Sequence, residues 1–340
     1  MAGLTRPGGL APALSLAVSL AAAPALASPR VVADIAPVHS IVAAVMGGLG
    51  APTLLVQPGA SEHDAALRPS DAAALDAADV VVWIGPGLTP WLEGPIDSLA
   101  GDAARVTLAD APGIRLLPRR VGGTFEAHEH GHAEEGHDDH GHDDHGHDDP
   151  GHDDHDHDDH DHDHDETGAD PHLWLDPANA AVMAGVVAEA LAAADPANAD
   201  AYRANAAAFG ADAEALTSRI AAETAPARGR PFVVFHDAYH YFEDRFGLPA
   251  AGAISTSDAA PPGAVRIAEI RALVRDAGAV CVFSEPQFDQ GLVETVIEGT
   301  PARAGVLDPL GAGLAPGPEL YTALLDRLAD GLVGCLAPPV

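Results

Sequence analysis

Histidine is the residue type through which this sequence could do chemistry. Fourteen of the nineteen histidines lie in residues 128–164, interleaved with aspartate and glutamate. From residue 136 onward the sequence repeats five-residue blocks such as GHDDH. A period of five fits neither the helical period of about 3.6 nor the strand period of about 2. The stretch has no apolar face to bury, so we expect residues 126–168 to form a disordered loop.

Imidazole and carboxylate groups at this density are ligands for zinc and its neighbouring metals. We therefore interpret the stretch as an accessory metal-binding loop, and a solvated acidic linker is the alternative. Flexible ligands must be ordered in each binding event, so affinities in the loop should fall below that of a preformed site. The loop histidines are His128, His130, His132, His137, His140, His142, His145, His147, His152, His155, His157, His160, His162 and His164.

Five histidines lie outside that loop. Three of them follow predicted strands or stand in loops between elements: His63 in GASEHDAALRPSD, His172 in DPHLWLDP and His236 in VVFHDAYHYF. They are too far apart for a local motif, so they could meet only if the fold brings loops of two lobes to one cleft. Three imidazoles with an oxygen or an open fourth position make a zinc-type site. We expect His39 to cap a helix, and His240 to pack or face solvent.

Two parts of the chain, residues 31–108 and 231–336, alternate short β-branched runs with helical stretches. Such alternation with near-continuous apolar strands predicts parallel sheets covered by helices on both faces. Between the two parts, an Asp-Pro pair at residues 195–196 starts a helix that is long enough, at about 1.5 Å per residue, to join two lobes. The predicted fold class is α/β, with two (β/α) lobes joined by one long helix. Ligands of parallel sheets bind beyond the carboxyl ends of the strands.

The first residues are typical of a cleavable secretory signal. In residues 1–27, an apolar run at 10–20 precedes the sequence Ala-Leu-Ala at 25–27, whose two alanines form a cleavage site. A membrane anchor is the alternative, which the cleavage site and Pro24 disfavour. We expect an exported protein with the following parts: signal peptide 1–27, N-terminal lobe 28–194 including the loop 126–168, linking helix 195–224 and C-terminal lobe 225–340.

Charge and cysteine content restrict the partners and the compartment. The formal net charge is −34, and nineteen carboxylates lie in residues 126–166 without any lysine or arginine. This balance argues against a nucleic-acid partner and favours a cation-attracting surface. Cys281 and Cys335 are the two cysteines, and an even count in an exported protein favours one disulfide over two free buried thiols.

The order of motifs carries a resemblance to a known family. GASEHDAALRPSD, VVVWIGPGL, HLWLDP, FVVFHDAYHYF, CVFSEPQF and LDPLG, in this order, resemble the zinc-uptake solute-binding proteins of the ZnuA type, in the cluster that also includes manganese and iron binders. The resemblance covers residues 30–336. It implies two (β/α) lobes joined by a rigid helix, zinc in the cleft between them, a disulfide near the C-terminus, and an ABC permease as partner.

The same resemblance implies a ligand set. The family's three histidine ligands fall on His63, His172 and His236, and manganese relatives carry a carboxylate at the last of these positions. Imidazole in place of a hard oxygen shifts preference toward zinc. The fourth ligand is expected to be Asp308 in LDPLG, with Glu62 or a water as the alternatives. Arg68 and Asp237 are expected to orient the ligands, with surface ion pairing as the alternative.

These features predict a non-catalytic periplasmic receptor, a monomer, that captures Zn²⁺ and passes it to a membrane permease. Three alternatives remain at this point: a zinc hydrolase or lyase that activates water on a three-histidine site, a periplasmic zinc store or chaperone built on the loop, and a manganese receptor. Against the enzyme, no carboxylate stands at the spacing of a metalloprotease base such as H-E-x-x-H.

Overall fold

The computed structural model describes residues 28–63, 65–120, 123–125, 168–255, 263–288 and 290–338. The predicted signal peptide and all fourteen loop histidines lie outside these ranges. The domain boundaries therefore remain an expectation where they depend on those residues.

The N-terminal lobe is built on one parallel sheet. Its strands follow the spatial order β2-β1-β3-β4, and each neighbouring pair is parallel. The two central strands, β1 and β3, are buried along their whole length, as their uninterrupted apolar runs predict. The elements are β1 (Val31–Ala33), α1 (Ala36–Met46), β2 (Thr53–Leu54), α2 (Pro69–Asp76), β3 (Val80–Trp83), α3 (Glu93–Leu99) and β4 (Ala104–Thr107).

The C-terminal lobe repeats this topology. Its strands follow the order β6-β5-β7-β8, again with every neighbouring pair parallel. In each lobe the chain order reverses between the first and third strands, and such a switch point opens a crevice at the carboxyl edge of the sheet. The elements are β5 (Phe232–His236), α6 (His240–Phe246), β6 (Gly252–Ser255), α7 (Ala264–Asp276), β7 (Cys281–Ser284), α8 (Gln290–Ile297), β8 (Arg303–Val306) and α9 (Leu320–Leu336).

Two long helices, α4 (Pro177–Ala194) and α5 (Ala199–Glu223), connect the lobes. Asp176 caps α4, because its carboxylate accepts the backbone N–H of Ala178 at 2.9 Å. The 25 residues of α5 correspond to about 37 Å of helix, which confirms the predicted linking helix. Helix α4 is apolar and long enough to cross a membrane by composition, but half of it is buried inside the protein, where it packs along α5.

The core does not stop at the lobe boundary. One cluster of buried apolar side chains runs from β1 and β3 through α4 and α5 into β5, β7 and α9. The predicted disulfide joins Cys281 on β7 to Cys335 on α9, so the terminal helix is tied to the second sheet. The core that the two lobes share favours a fixed relation between the carboxyl edges of the two sheets.

Candidate metal centre

The three solitary histidines lie together at the facing carboxyl edges of the two sheets. His63 comes from the loop after β2, His172 from the turn that precedes α4, and His236 is the last residue of β5. One ring nitrogen of each lies within 4.8 Å of the others. The ring centroids are 5.5 Å apart for His63 and His172, 5.8 Å for His63 and His236, and 5.0 Å for His172 and His236. The fold therefore assembles residues that are far apart in the sequence.

Two of these rings are oriented by buried carboxylates. His172 Nδ1 lies 2.8 Å from Asp170 Oδ1, and His236 Nδ1 lies 3.0 Å from Glu285 Oε1. A carboxylate at Nδ1 stabilises the tautomer that carries its proton there, so the Nε2 lone pair is left for a metal. All four side chains are almost completely buried. The arrangement is that of carboxylate–histidine pairs around zinc.

The two Nε2 atoms face each other. His236 Nε2 and His172 Nε2 are 3.1 Å apart. With both protons held on Nδ1, two lone pairs would point at one another, and a cation between them removes the repulsion. Two nitrogens bound tetrahedrally to zinc at about 2.0–2.1 Å are about 3.3 Å apart, which is close to the observed distance.

His63 is the more accessible member of the group, with 23% of its side chain exposed. Its neighbour Glu62 is buried, and the Glu62 Oε1 atom lies 3.9 Å from His63 Nε2. The indole of Trp91 donates a hydrogen bond to the Glu62 carbonyl at 2.9 Å, which holds this loop against the start of α3. The first of the three histidines is thus presented on a loop that Trp91 anchors, with a carboxylate beside it.

Asp308 lies near the group but not in it. Its two carboxylate oxygens accept the backbone N–H groups of Leu310, Gly311 and Ala312 at 3.0, 2.8 and 2.7 Å, so they stabilise the turn after β8. Burial raises the pKa of Tyr239 well above its ordinary value, and the carboxylates of Glu285, Asp308 and Glu62 add to that shift. The floor of the cleft is therefore strongly acidic, which favours a cation.

Asp170 connects His172 to the rest of the lobe. Its backbone N–H donates to Leu117 at 2.8 Å, and its carbonyl accepts the Tyr241 hydroxyl at 2.9 Å. Burial by itself raises the pKa of Asp170, but its contacts with His172 and His240 outweigh that effect and lower the pKa well below the ordinary value. Asp170 is therefore ionised at neutral pH and remains an acceptor for His172.

The residues around the three rings differ in part from expectation. Arg68 pairs with Asp71 at the start of α2 and Asp237 pairs with Arg120, so both make the ion pairs that were the alternative to orienting a ligand. His39 lies inside α1, where its Nε2 contacts the Pro52 carbonyl at 3.1 Å, and it caps nothing.

His240 packs against Asp170 at 3.5 Å, in agreement with a packing role. The two carboxylates that orient the rings, Asp170 and Glu285, were not predicted from the sequence. A signal for Glu285 exists, because it directly follows β7, the strand beside β5 at the switch point of the second sheet. Asp170 could have been found from its place two residues before His172.

Comparison with known proteins agrees with this geometry. The family model described as zinc-uptake complex component A, periplasmic (ZnuA), matches residues 31–335. A high-affinity zinc uptake system protein ZnuA of Brucella suis biovar 1 is 52% identical over 307 residues, which are 90% of this chain and 91% of the relative. Its counterpart of Paracoccus denitrificans is 47% identical over 335 residues, covering 98% of this chain and 99% of the relative.

Solved structures share the fold at lower identity. A crystal structure of ZnuA superposes with a TM-score of 0.70 at 23% identity, covering 91% of this chain and 100% of that chain. The periplasmic zinc binding protein TroA from Treponema pallidum superposes with a TM-score of 0.70 at 20% identity, covering 92% and 100%. Both confirm the two parallel-sheet lobes and the long connecting helix. The family is one of periplasmic metal-binding receptors rather than enzymes, and the chain belongs to this ZnuA family.

Proposed function

We propose that this chain is the zinc receptor of an uptake system, which holds one Zn²⁺ with His63, His172 and His236 and delivers it to an ABC permease in the membrane. The membership of the family and the names of its relatives support zinc as the cargo. The single observation that carries the ligand assignment is the meeting of three imidazole nitrogens, two of them with Nε2 turned inward by carboxylates.

The donor set fits zinc better than manganese. Three imidazoles are borderline donors that suit Zn²⁺, whereas Mn²⁺ favours oxygen ligands. The acidic residues around the rings supply negative charge close to the ion without replacing a nitrogen. For the fourth position we propose an oxygen from Glu62 or a water, because Glu62 lies beside His63 while the carboxylate of Asp308 is engaged with three backbone N–H groups.

Capture and release are the chemistry that this arrangement supports. Zinc ligation requires neutral imidazole, so affinity should fall as the pH drops below about 6.5. Residues 1–27 would act as the signal that brings the chain to the periplasm. The histidines of residues 128–164 would gather zinc near the cleft, a role that rests on their composition.

Titration of the mature chain with Zn²⁺ against a competing chelator tests the assignment. The expected result is one tight site, which His63→Ala, His172→Ala and His236→Ala each weaken by about 100-fold or more. A chain without residues 126–167 should keep the tight site and lose the weaker ones. His39→Ala is the matched control, because this buried histidine touches the Pro52 carbonyl and none of the three rings.

Two results would refute the assignment. One is a tight site that survives all three substitutions. The other is a loop-deleted chain that binds no zinc tightly, which would move the site into the histidine-rich residues. Competition between Zn²⁺ and Mn²⁺ on the same samples identifies the preferred cargo.

A further inference from the structure

One stretch of the N-terminal lobe, described for residues 115–120 and 123–125, lies on the C-terminal lobe. The backbone N–H of Leu117 donates to the Tyr241 hydroxyl at 2.9 Å. Further along, Arg266 donates to the Thr124 carbonyl at 3.0 Å. We call this stretch the interlobe segment. Its backbone is tied to α6 at one end and to α7 at the other.

Arg120 makes the densest set of contacts in the interlobe segment. Its guanidinium donates to Asp237 through Nε at 3.0 Å and through Nη2. It also donates to Glu243 through Nη1 at 2.5 Å and through Nη2 at 3.0 Å. The Phe125 ring covers the guanidinium at 4.1 Å, and only 17% of the Arg120 side chain is exposed. A planar guanidinium that binds two carboxylates at once fixes the distance between them and also neutralises part of their charge.

Those two carboxylates lie on either side of the turn that follows His236. Asp237 is the next residue along the chain, and Glu243 lies in α6, where it also accepts the Ala250 N–H at 2.9 Å. The hydrogen bond from His236 to Glu285 sets the rotation of the ring, but the position of its backbone depends on the turn between β5 and α6. Arg120 holds that turn from the opposite lobe.

The same segment supports the second histidine. Leu117 pairs with Asp170, which orients His172, and Tyr241 links the two by contacting both. The supports of His172 and His236 therefore converge on one stretch of chain. The 3.1 Å separation of their Nε2 atoms is set across the lobe boundary.

We propose that Arg120 is a positioning residue for the metal centre: by clamping Asp237 and Glu243 it fixes the turn behind His236 and thereby the spacing of His236 from His172. This inference rests on the proposed function, since it assumes that both rings hold the ion. Loss of the clamp lets the turn relax, so the tetrahedral nitrogen set opens and a bound ion leaves faster.

Arg120→Lys is the mildest test, because lysine keeps the charge but cannot bridge two carboxylates with a planar fork. The double variant Arg120→Met with Glu243→Gln removes the clamp without leaving Glu243 charged and unpaired, the situation that would endanger folding. Arg119→Gln and Arg115→Gln are the matched controls. Arg119 is the neighbouring arginine, and its guanidinium donates to the Gly87 carbonyl. Arg115 pairs with Asp244, another carboxylate of α6.

Two readouts are made on the full mature chain: Zn²⁺ dissociation into excess chelator, and the visible absorption of the Co²⁺-loaded protein, whose band intensity reports tetrahedral geometry. We expect zinc to dissociate about 10-fold faster from the double variant, the low end of the range for residues that support metal ligands. Arg120→Lys should lie between the double variant and the parent. Both should show a weakened cobalt band at an unchanged helix content by circular dichroism, whereas both controls should match the parent.

Parent-like dissociation and cobalt spectra in both Arg120 variants would overturn the proposal while leaving the proposed function intact. An equal loss in Arg115→Gln would also overturn it, because the effect would then come from general contact between the lobes. A parent chain without any tight zinc site would overturn the proposed function, and this proposal with it.

Discussion

Glu285 offers the sharpest test of how the cleft achieves its affinity. The substitution Glu285→Gln keeps the length of the side chain and leaves an amide oxygen that can accept the proton of His236 Nδ1 in the same place. It removes only the negative charge. Because both side chains are almost completely buried, with 4% and 2% exposed, solvent rearrangement can do little to compensate.

The size of the effect can be worked from the geometry. The carboxylate lies 3.0 Å from Nδ1, so an ion on the far side of the ring is on the order of 7 Å away. At an effective dielectric constant of about 20, a single negative charge and Zn²⁺ attract at that distance by about 5 kcal/mol. This figure is an upper bound, because the amide oxygen that replaces the carboxylate keeps a partial negative charge. Measured losses for residues that support metal ligands are about 10–100-fold, or about 1.4–2.7 kcal/mol.

We therefore expect Glu285→Gln to weaken zinc binding by about 10-fold and Glu285→Ala, which also loses the hydrogen bond, by up to about 100-fold. Chelator competition on the mature chain measures both, with thermal unfolding as the check on the fold. Glu298→Gln is the control, since Glu298 is exposed and pairs with Arg271. Zinc affinity of Glu285→Gln within about twofold of the parent would refute the reasoning, because the buried charge would then contribute nothing.

Two further predictions concern stability. Burial raises the pKa of Asp34 to about 7, although the backbone N–H groups of Ile84 and Ile35 act to lower it. The folded chain therefore holds the carboxyl proton of Asp34 more tightly than the unfolded chain. The resulting stabilisation, up to about 4 kcal/mol, is complete below about pH 4 and is lost as the pH rises through about 7. The difference in melting temperature between the parent and Asp34→Asn should therefore shrink between about pH 4 and pH 8. A difference that stays constant over this range would contradict the prediction. Replacing Cys281 and Cys335 by serine should lower the free energy of unfolding, measured by denaturant titration, by about 4 kcal/mol for a separation of 54 residues. Zinc affinity should change less than threefold, because neither sulfur touches the three rings. Unchanged stability would contradict a stabilising role of the disulfide.

Much of the fold was determined by local patterns that the sequence displays directly. Near-continuous apolar runs predicted the buried parallel strands, and the Asp-Pro pair at residues 195–196 predicted the start of the linking helix. The observed α5 (Ala199–Glu223) lies within the expected linking helix, residues 195–224. Local propensity and the strand–helix alternation suffice for this, because each element buries its own apolar face.

The candidate site was only partly predictable. Motif order and loop position singled out His63, His172 and His236. Ligands of parallel sheets bind at the carboxyl ends of the strands, so a histidine placed there is a candidate ligand. The number of cysteines in an exported chain likewise predicted the disulfide. These inferences depend on position along the chain rather than on any distance across the molecule.

The tertiary structure alone decided what surrounds those histidines. Glu285 meets His236 across 49 residues, and Arg120 meets Asp237 across 117. A carboxylate or an arginine carries no local sign of its partner, because a side-chain hydrogen bond of about 3 Å is decided by how strands and loops from two lobes pack together. The sequence therefore identified the candidate metal ligands, whereas the packing of the two lobes determined how they are oriented and held.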